Sequence, residues 1–354
     1  MAYGLRVTND DGRMMTLDGS MRFASYLGTV QAVSGGNAGG VSRPILAGAS
    51  PLIVPREMVF IASAGSGSGP GMSVITGLSF SGNTLNYSTK QFNNLGNGVP
   101  IGNIDVFSVQ GAASHQGYGM SIFGGSNFVE INDTSYCGVV TYIDTVNING
   151  WWPVPANIVA MGNYVVFARW NNTDNPLFFD RANNGISVWS GFSSADGAVQ
   201  QGVVNGVQIV IVSCGFSPAP PASGYGLTIR NASGQITYSS KYAPVAWTDA
   251  YYSMPGYEEY SGSNGDVNKW VGPTGTVAYP MVPLCTLGFG RGDYSRNQQN
   301  IYYFYKSLLT GFKMSGNQIT NSRCKPRGEI ERYISPRACA AAVNLPCIDA
   351  AYYF

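Results

Sequence analysis

Apolar residues along this chain either alternate with polar ones or run for five to seven positions, and glycine, asparagine and serine separate the runs. That is the pattern of strands joined by turns. Tyr164-Val165-Val166-Phe167-Ala168 and Val207-Gln208-Ile209-Val210-Ile211-Val212 are too short and too β-branched to be helices, and the body of the chain carries no sustained helical period. The one helix signal is Ser335-Pro336-Arg337-Ala338-Cys339-Ala340-Ala341-Ala342-Val343-Asn344, with serine as N-cap and proline in the first turn. The pattern predicts an all-β protein of tandem β-sandwich-like units with a short C-terminal helix.

A repeat organises these strands. Tyr3-Gly4-Leu5-Arg6-Val7-Thr8-Asn9-Asp10-Asp11-Gly12 returns as Tyr225-Gly226-Leu227-Thr228-Ile229-Arg230-Asn231-Ala232-Ser233-Gly234, and more loosely as Tyr118-Gly119-Met120-Ser121-Ile122-Phe123-Gly124-Gly125. Each opening reads as a β-hairpin with glycine at the turn. A second landmark follows in the same order: Gly77-Leu78-Ser79-Phe80-Ser81-Gly82-Asn83-Thr84-Leu85 is echoed by Gly311-Phe312-Lys313-Met314-Ser315-Gly316-Asn317-Gln318-Ile319. Between them lie three proline-marked apolar runs, at Ile53 to Phe60, Pro153 to Ala160 and Pro280 to Leu287. The spacing is that of domains and exceeds the period of solenoids. Three related units are expected, at 1–115, 116–222 and 223–354, the last with an aromatic insertion and a C-terminal extension. The proline-rich Ser217-Pro218-Ala219-Pro220-Pro221-Ala222-Ser223 marks the clearest boundary.

Composition narrows the setting. Only 11% of residues are charged, against roughly 25% in an ordinary soluble protein. Such a surface suits a protein that works packed in an assembly, although a neutral secreted β protein shares the same balance. The net charge of +1 supplies no electrostatic footprint for nucleic acid or anionic membrane. No apolar stretch approaches the length of a membrane helix. Met1-Ala2-Tyr3-Gly4-Leu5-Arg6 leads directly into the first repeat with no secretory pattern, so synthesis in a cytoplasm is expected. Cys137, Cys214 and Cys285 read as small buried hydrophobes, while Cys324, Cys339 and Cys347 lie close enough in sequence for a disulfide.

Catalytic and metal signals are sparse. His115 is the one histidine, in a junction loop beside Ser114, so neither a histidine-based triad nor a histidine-rich zinc site has its parts. Gly65-Ser66-Gly67-Ser68-Gly69-Pro70-Gly71 lacks the lysine of a phosphate-binding loop and reads as a hairpin tip. Asp10-Asp11-Gly12 and Asn171-Asn172-Thr173-Asp174-Asn175 offer oxygen ligands, but Asx turns explain both. Glu258-Glu259, set among tyrosines, would be the acids of a glycosidase, yet adjacent acids on a strand point apart. No catalytic residue, metal or cofactor is assigned.

The most distinctive stretch runs from Trp247 to Tyr279. Gly12 to Gly82 is 70 positions and Gly234 to Gly316 is 82, so the third unit holds 12 extra residues between its landmarks. Tyrosine and tryptophan give rigid contact area with a polar handle, which suits protein- and glycan-contacting loops. Trp247, Tyr251, Tyr252, Tyr257, Tyr260 and Trp270 are therefore expected to lie partly exposed on a receptor- or partner-facing surface.

The Gly-, Ser- and Asn-rich β units, the low charge and the Tyr3-Gly4-Leu5-Arg6-Val7 opening with Asn9-Asp10-Asp11-Gly12 resemble bacteriophage tail, baseplate and tail-fibre proteins. The resemblance covers about twenty residues per copy and transfers no functional residue. It implies a virion protein of the tail tip, baseplate or fibre that takes part in attachment to a bacterial surface receptor. Its partners would be other tail proteins and further copies of itself, three by analogy with tail appendages. A tail-tube, connector or decoration subunit is the alternative within that class. A polysaccharide-degrading tailspike is the alternative outside it, although the long β-helix repeats of such enzymes are missing.

Overall fold

The computed structural model describes residues 4–8, 14–18, 22–45, 49–62, 70–93, 95–109, 119–124, 127–132, 136–193, 196–222, 226–247, 249–259, 269–298, 300–330 and 338–354. Almost all of these are strand or turn, so the all-β expectation holds. Among the described residues helix is confined to one turn at Ala156–Val159 and a 3-10 turn at Ala350–Tyr352, which Asp349 caps by accepting the Ala351 N–H at 3.0 Å. No helix among the described residues is long and apolar enough to cross a membrane.

The predicted helix at 335–344 is corrected. Ala338–Ala340 and Val343–Asp349 are strands, while Ser335, Pro336 and Arg337 lie outside the described residues. Cys339 is paired on both sides, with Glu258 and with Phe289. The packing there is tight enough that a Cβ on Gly288 would meet the Cys339 carbonyl and Ala340. Small residues meet that steric demand, and tertiary pairing overrides the helix preference of alanine.

All three predicted openings form antiparallel hairpins, Gly4–Thr8 with Met14–Asp18, Gly119–Gly124 with Asn127–Asn132, and Thr228–Arg230 with Ile236–Ser239. Tyr3, Tyr118 and Tyr225 themselves lie outside the described residues, as do Asp10-Asp11-Gly12, His115 and positions 65–69 of the glycine-rich tip. In the third hairpin the Asn231 side chain accepts the N–H groups of Ser233 and Gln235 at 3.0 and 2.9 Å. That is an Asx turn.

One strand plan then recurs three times. The long strands after the hairpins pair with the last strand of their own stretch: Arg22–Val33 with Pro100–Val109, Val139–Asn149 with Val203–Cys214, and Ala250–Met254 with Val343–Asp349. On the other edge of those last strands lie Ser50–Pro55, Asn163–Arg169 and Pro280–Pro283. Each plan also contains a hairpin, Met72–Ser81 with Thr84–Phe92, Asn172–Asp180 with Gly185–Phe192, and Asn300–Ser315 with Gln318–Ile330. The second residue after each turn, Leu85, Ile186 or Ile319, is fully buried in one shared core.

The three stretches interlock. Arg22–Val33 pairs with Tyr136–Cys137 of the second and with Ala246–Trp247 of the third, and Val139–Asn149 pairs with Ala243–Pro244. These pairings form a closed ring. At its meeting point the Gly138 N–H donates to the Ala24 carbonyl, and the Val245 N–H donates to the Gly138 carbonyl, both at 2.9 Å. Phe107, Val212 and Ile348, one from each last strand, face a narrow apolar cavity beside Ala24, Val245 and Trp247. Close by, the Arg56 guanidinium grips Asp105 with two hydrogen bonds of 2.6 and 2.7 Å, and the Thr29 hydroxyl donates to the same carboxylate at 2.5 Å.

Candidate functional site

The six aromatic residues singled out in the sequence separate into different environments. Trp247 and Tyr252 are only 3% and 0% exposed, which corrects the expectation that they face a partner. Trp247 sits across from Arg22 in the ring and packs edge-on against Tyr251 at 5.0 Å. Tyr252 lies beneath the Ser315–Gln318 turn, and its hydroxyl donates to the Asn317 carbonyl at 3.0 Å. A polar tip satisfied inside the protein lets the ring stay buried. The strand Ala250–Met254 alternates, so Ala250, Tyr252 and Met254 point inward while Tyr251 is half-buried. Tyr257 is also half-buried, and Tyr260 lies outside the described residues.

Among the described members of the set Trp270 is the exposed one, at 36%. It borders an open cleft of about 700 Å³ whose other walls are Thr173, Asp174, Lys313, Ser315 and Gln318. Backbone hydrogen bonds fix each wall. Val271 and Ile319 exchange N–H···O bonds of 2.8 and 2.9 Å, which anchors Trp270 against the hairpin. Across the cleft, the Asn172 side chain accepts the N–H groups of Asp174 and Asn175 at 2.9 and 2.7 Å, so this asparagine-rich segment is an Asx turn. The Asn171 side chain accepts the Gly316 N–H at 3.1 Å and holds that turn to the hairpin tip. Lys313 and Ser315 line the cleft because they alternate along the strand with the buried Phe312 and Met314.

A second trough of about 440 Å³ shares Asp174 and Lys313 with the first and continues past Trp189, Ser190, Ser322 and Arg323. The Trp189 indole N–H is buried and has no hydrogen-bond partner among the described residues. Lys313 forms no ion pair among the described residues. Elsewhere, half-buried Tyr251 borders a more apolar groove with Pro51, Ile53, Leu78, Met254 and Val343.

Sequence reasoning located Trp270 but not its neighbours. Thr173 and Asp174 were legible as a turn, and Lys313 and Ser315 as the polar half of an alternating strand. Only the fold brings them together.

The remaining chemical candidates do not converge. Glu258 pairs with Lys90 at 2.5 Å, and Glu258 and Glu259 stand opposite Cys339 and Ala338 on successive strand positions. Their side chains therefore leave opposite faces of the strand. All six cysteines are buried free thiols, so Cys324, Cys339 and Cys347 form no disulfide. Burial pushes the thiols of Cys137, Cys339 and Cys347 up to about 12, with the Glu258 carboxylate adding to the effect at Cys339. No cluster of three or more His, Cys, Asp or Glu side chains occurs among the described residues.

No curated protein and no solved structure matches the chain. A family described as one of unknown function, DUF6453, matches residues 4–333, a span that takes in the three hairpins, the ring and every residue of the Trp270 cleft. The chain belongs to the DUF6453 family.

Proposed function

We propose that this protein is a structural component of a bacteriophage tail tip, baseplate or fibre, and that it takes part in attachment to a bacterial surface receptor. The observation that carries this reading is the open cleft at Trp270. Its aromatic rim comes from the stretch that is lengthened in the third copy of the strand plan, where a contact role can be added without disturbing the shared core. Low charge and a surface of Gly, Ser, Asn and Tyr favour packing against neighbours, which accords with work inside an assembly. The reading includes other tail proteins and further copies of this chain as partners, three by analogy with tail appendages.

Antibody labelling of purified particles, viewed by negative-stain microscopy, tests the location. Label at the distal end of the tail is the expected result, and particles that lack the chain overturn it. Sedimentation of the purified protein tests self-association. A connector or decoration subunit without receptor contact is the second reading, and the burial of Trp247 and Tyr252 favours it, since that part of the aromatic stretch serves the interior. Particles whose adsorption to cells is unchanged when antibody covers this chain would select the connector.

A further inference from the structure

We infer that one copy of this chain sits on the axis of a threefold assembly and docks there, through its three opening hairpins, on a homotrimer of another protein. The inference rests on the reading of this chain as a tail component and differs from it in stoichiometry. The threefold axis that tail appendages obtain from three copies lies here inside a single chain.

The ring of pairings is cyclic. Its segments are 22–26, 136–140 and 243–247, and the first two residues of each pair with the last two of another. Tyr136 and Cys137 pair with Tyr26 and Ser25, Ala243 and Pro244 with Val140 and Val139, and Arg22 and Phe23 with Trp247 and Ala246. Three identical subunits close a ring by the same head-to-tail rule. The middle residues are Ala24, Gly138 and Val245, and a Cβ on Gly138 would meet Val212, Val245 and Phe107 at 3.1 to 3.4 Å, so glycine lets the three stretches close on the axis. A second layer repeats the symmetry. Phe107, Val212 and Ile348 stand opposite Leu52, Val165 and Met281, and all six belong to one buried core. The long strands also shift register at matching places, between Tyr26 and Gly28 and between Val140 and Tyr142. All three seams are paired within the chain, so none is left half-open for a second copy.

The hairpins follow the same axis. Met14–Asp18, Asn127–Asn132 and Ile236–Ser239 each end four positions before a ring segment begins, at Arg22, Tyr136 and Ala243. Each hairpin is a sheet of two strands, which no third strand joins among the described residues. Addition of a strand to such an edge is a common mode of protein recognition. Three like edges around one axis are matched by a partner that offers the same segment three times, and simultaneous engagement raises affinity through effective concentration. A partner with a single segment would leave two hairpins unused.

The test is native mass spectrometry of the full chain, affinity-tagged and purified from the cells in which it is naturally made. The expected result is a monomer when free and a complex of one tagged chain with three copies of one partner polypeptide. A homotrimer of this chain, a complex with equal numbers of the two proteins, or a chain with no partner each overturns the inference. Electron cryomicroscopy of the complex, reconstructed without imposed symmetry, should place the three hairpins against three equivalent segments of the partner, and contact through another face overturns the docking. Antibody labelling of tails is read separately. A one-to-three complex that is missing from tails rejects the tail assignment alone, whereas tails that carry this chain in three copies about one axis reject the inference and leave that assignment standing.

Discussion

Gly82 and Gly316 hold the same φ of +57° at the first central position of two-residue hairpin turns, and the asparagine after each does not share the positive φ. The pairing around them is the same residue for residue, Ser81 with Thr84 back to Gly77 with Ser88, and Ser315 with Gln318 back to Gly311 with Ser322. A positive φ at this position followed by a negative one is the pattern of a type II′ turn, whose twist matches the flanking strands.

Substitution of either glycine by alanine should destabilise the protein through the backbone alone. No atom lies within 4 Å of a Cβ built at Gly82 or Gly316, so there is no clash to relieve. A loss of roughly 1–3 kcal/mol is expected at each position. Denaturant midpoints that match the parent within error for both variants would show that the positive φ carries no cost.

Asp105 and Arg56 form a buried pair, with side chains 0% and 12% exposed. Asp105→Ala leaves a guanidinium without its partner, and a loss of about 3–5 kcal/mol is expected. Replacing both residues with apolar side chains of similar size should recover much of that loss, because the double change removes the stranded charge. Equilibrium unfolding of the single and double variants measures both effects.

Buried thiols give the protein an alkaline limit. Because the folded state holds Cys137, Cys339 and Cys347 up at about 12, above the thiol's unfolded value of about 8.5, the native state keeps protons that the unfolded chain releases. Their contribution is fully present below pH ~8.5 and is lost as pH rises toward the folded values. Urea midpoints should therefore fall between pH 9 and 11 on the scale set by those values. An aromatic disulfide reagent should label none of the 6 cysteines until the protein is unfolded.

Tyr252 and Trp270 should respond in opposite ways. Tyr252→Ala empties a core position and is expected to cost about 3–5 kcal/mol, while Tyr252→Phe loses only the bond to Asn317, about 1 kcal/mol. Trp270→Ala should change stability by no more than ~0.5 kcal/mol, as for other exposed sites. Thermal melts of the three variants check the order.

The local chemistry of this fold was legible in the sequence, but the long-range pairing was not. The segments around Gly82 and Gly316 were legible as matching landmarks of a repeat, while their turns and the burial of Leu85 and Ile319 come from the structure. The matching Ile186 was hidden because its turn spans 181–184 and lacks the Gly-Asn signature. Aromatic composition could not separate Trp247 and Tyr252 from Trp270, since the same rings serve cores and surfaces. The inward period of Ala250, Tyr252 and Met254 was the available sign. The partners of Trp270 come from separate stretches of chain, and no local period encodes their meeting.

The ring of pairings also dictates an order of events at the ribosome. Arg22 and Phe23 leave the exit tunnel early, yet their partners on one edge are Trp247 and Ala246, which follow only after most of the chain has been made. The earliest long strand must wait, with that edge unsatisfied, for one of the latest. Nascent chains halted before Trp247 would expose this edge to neighbours on the same message.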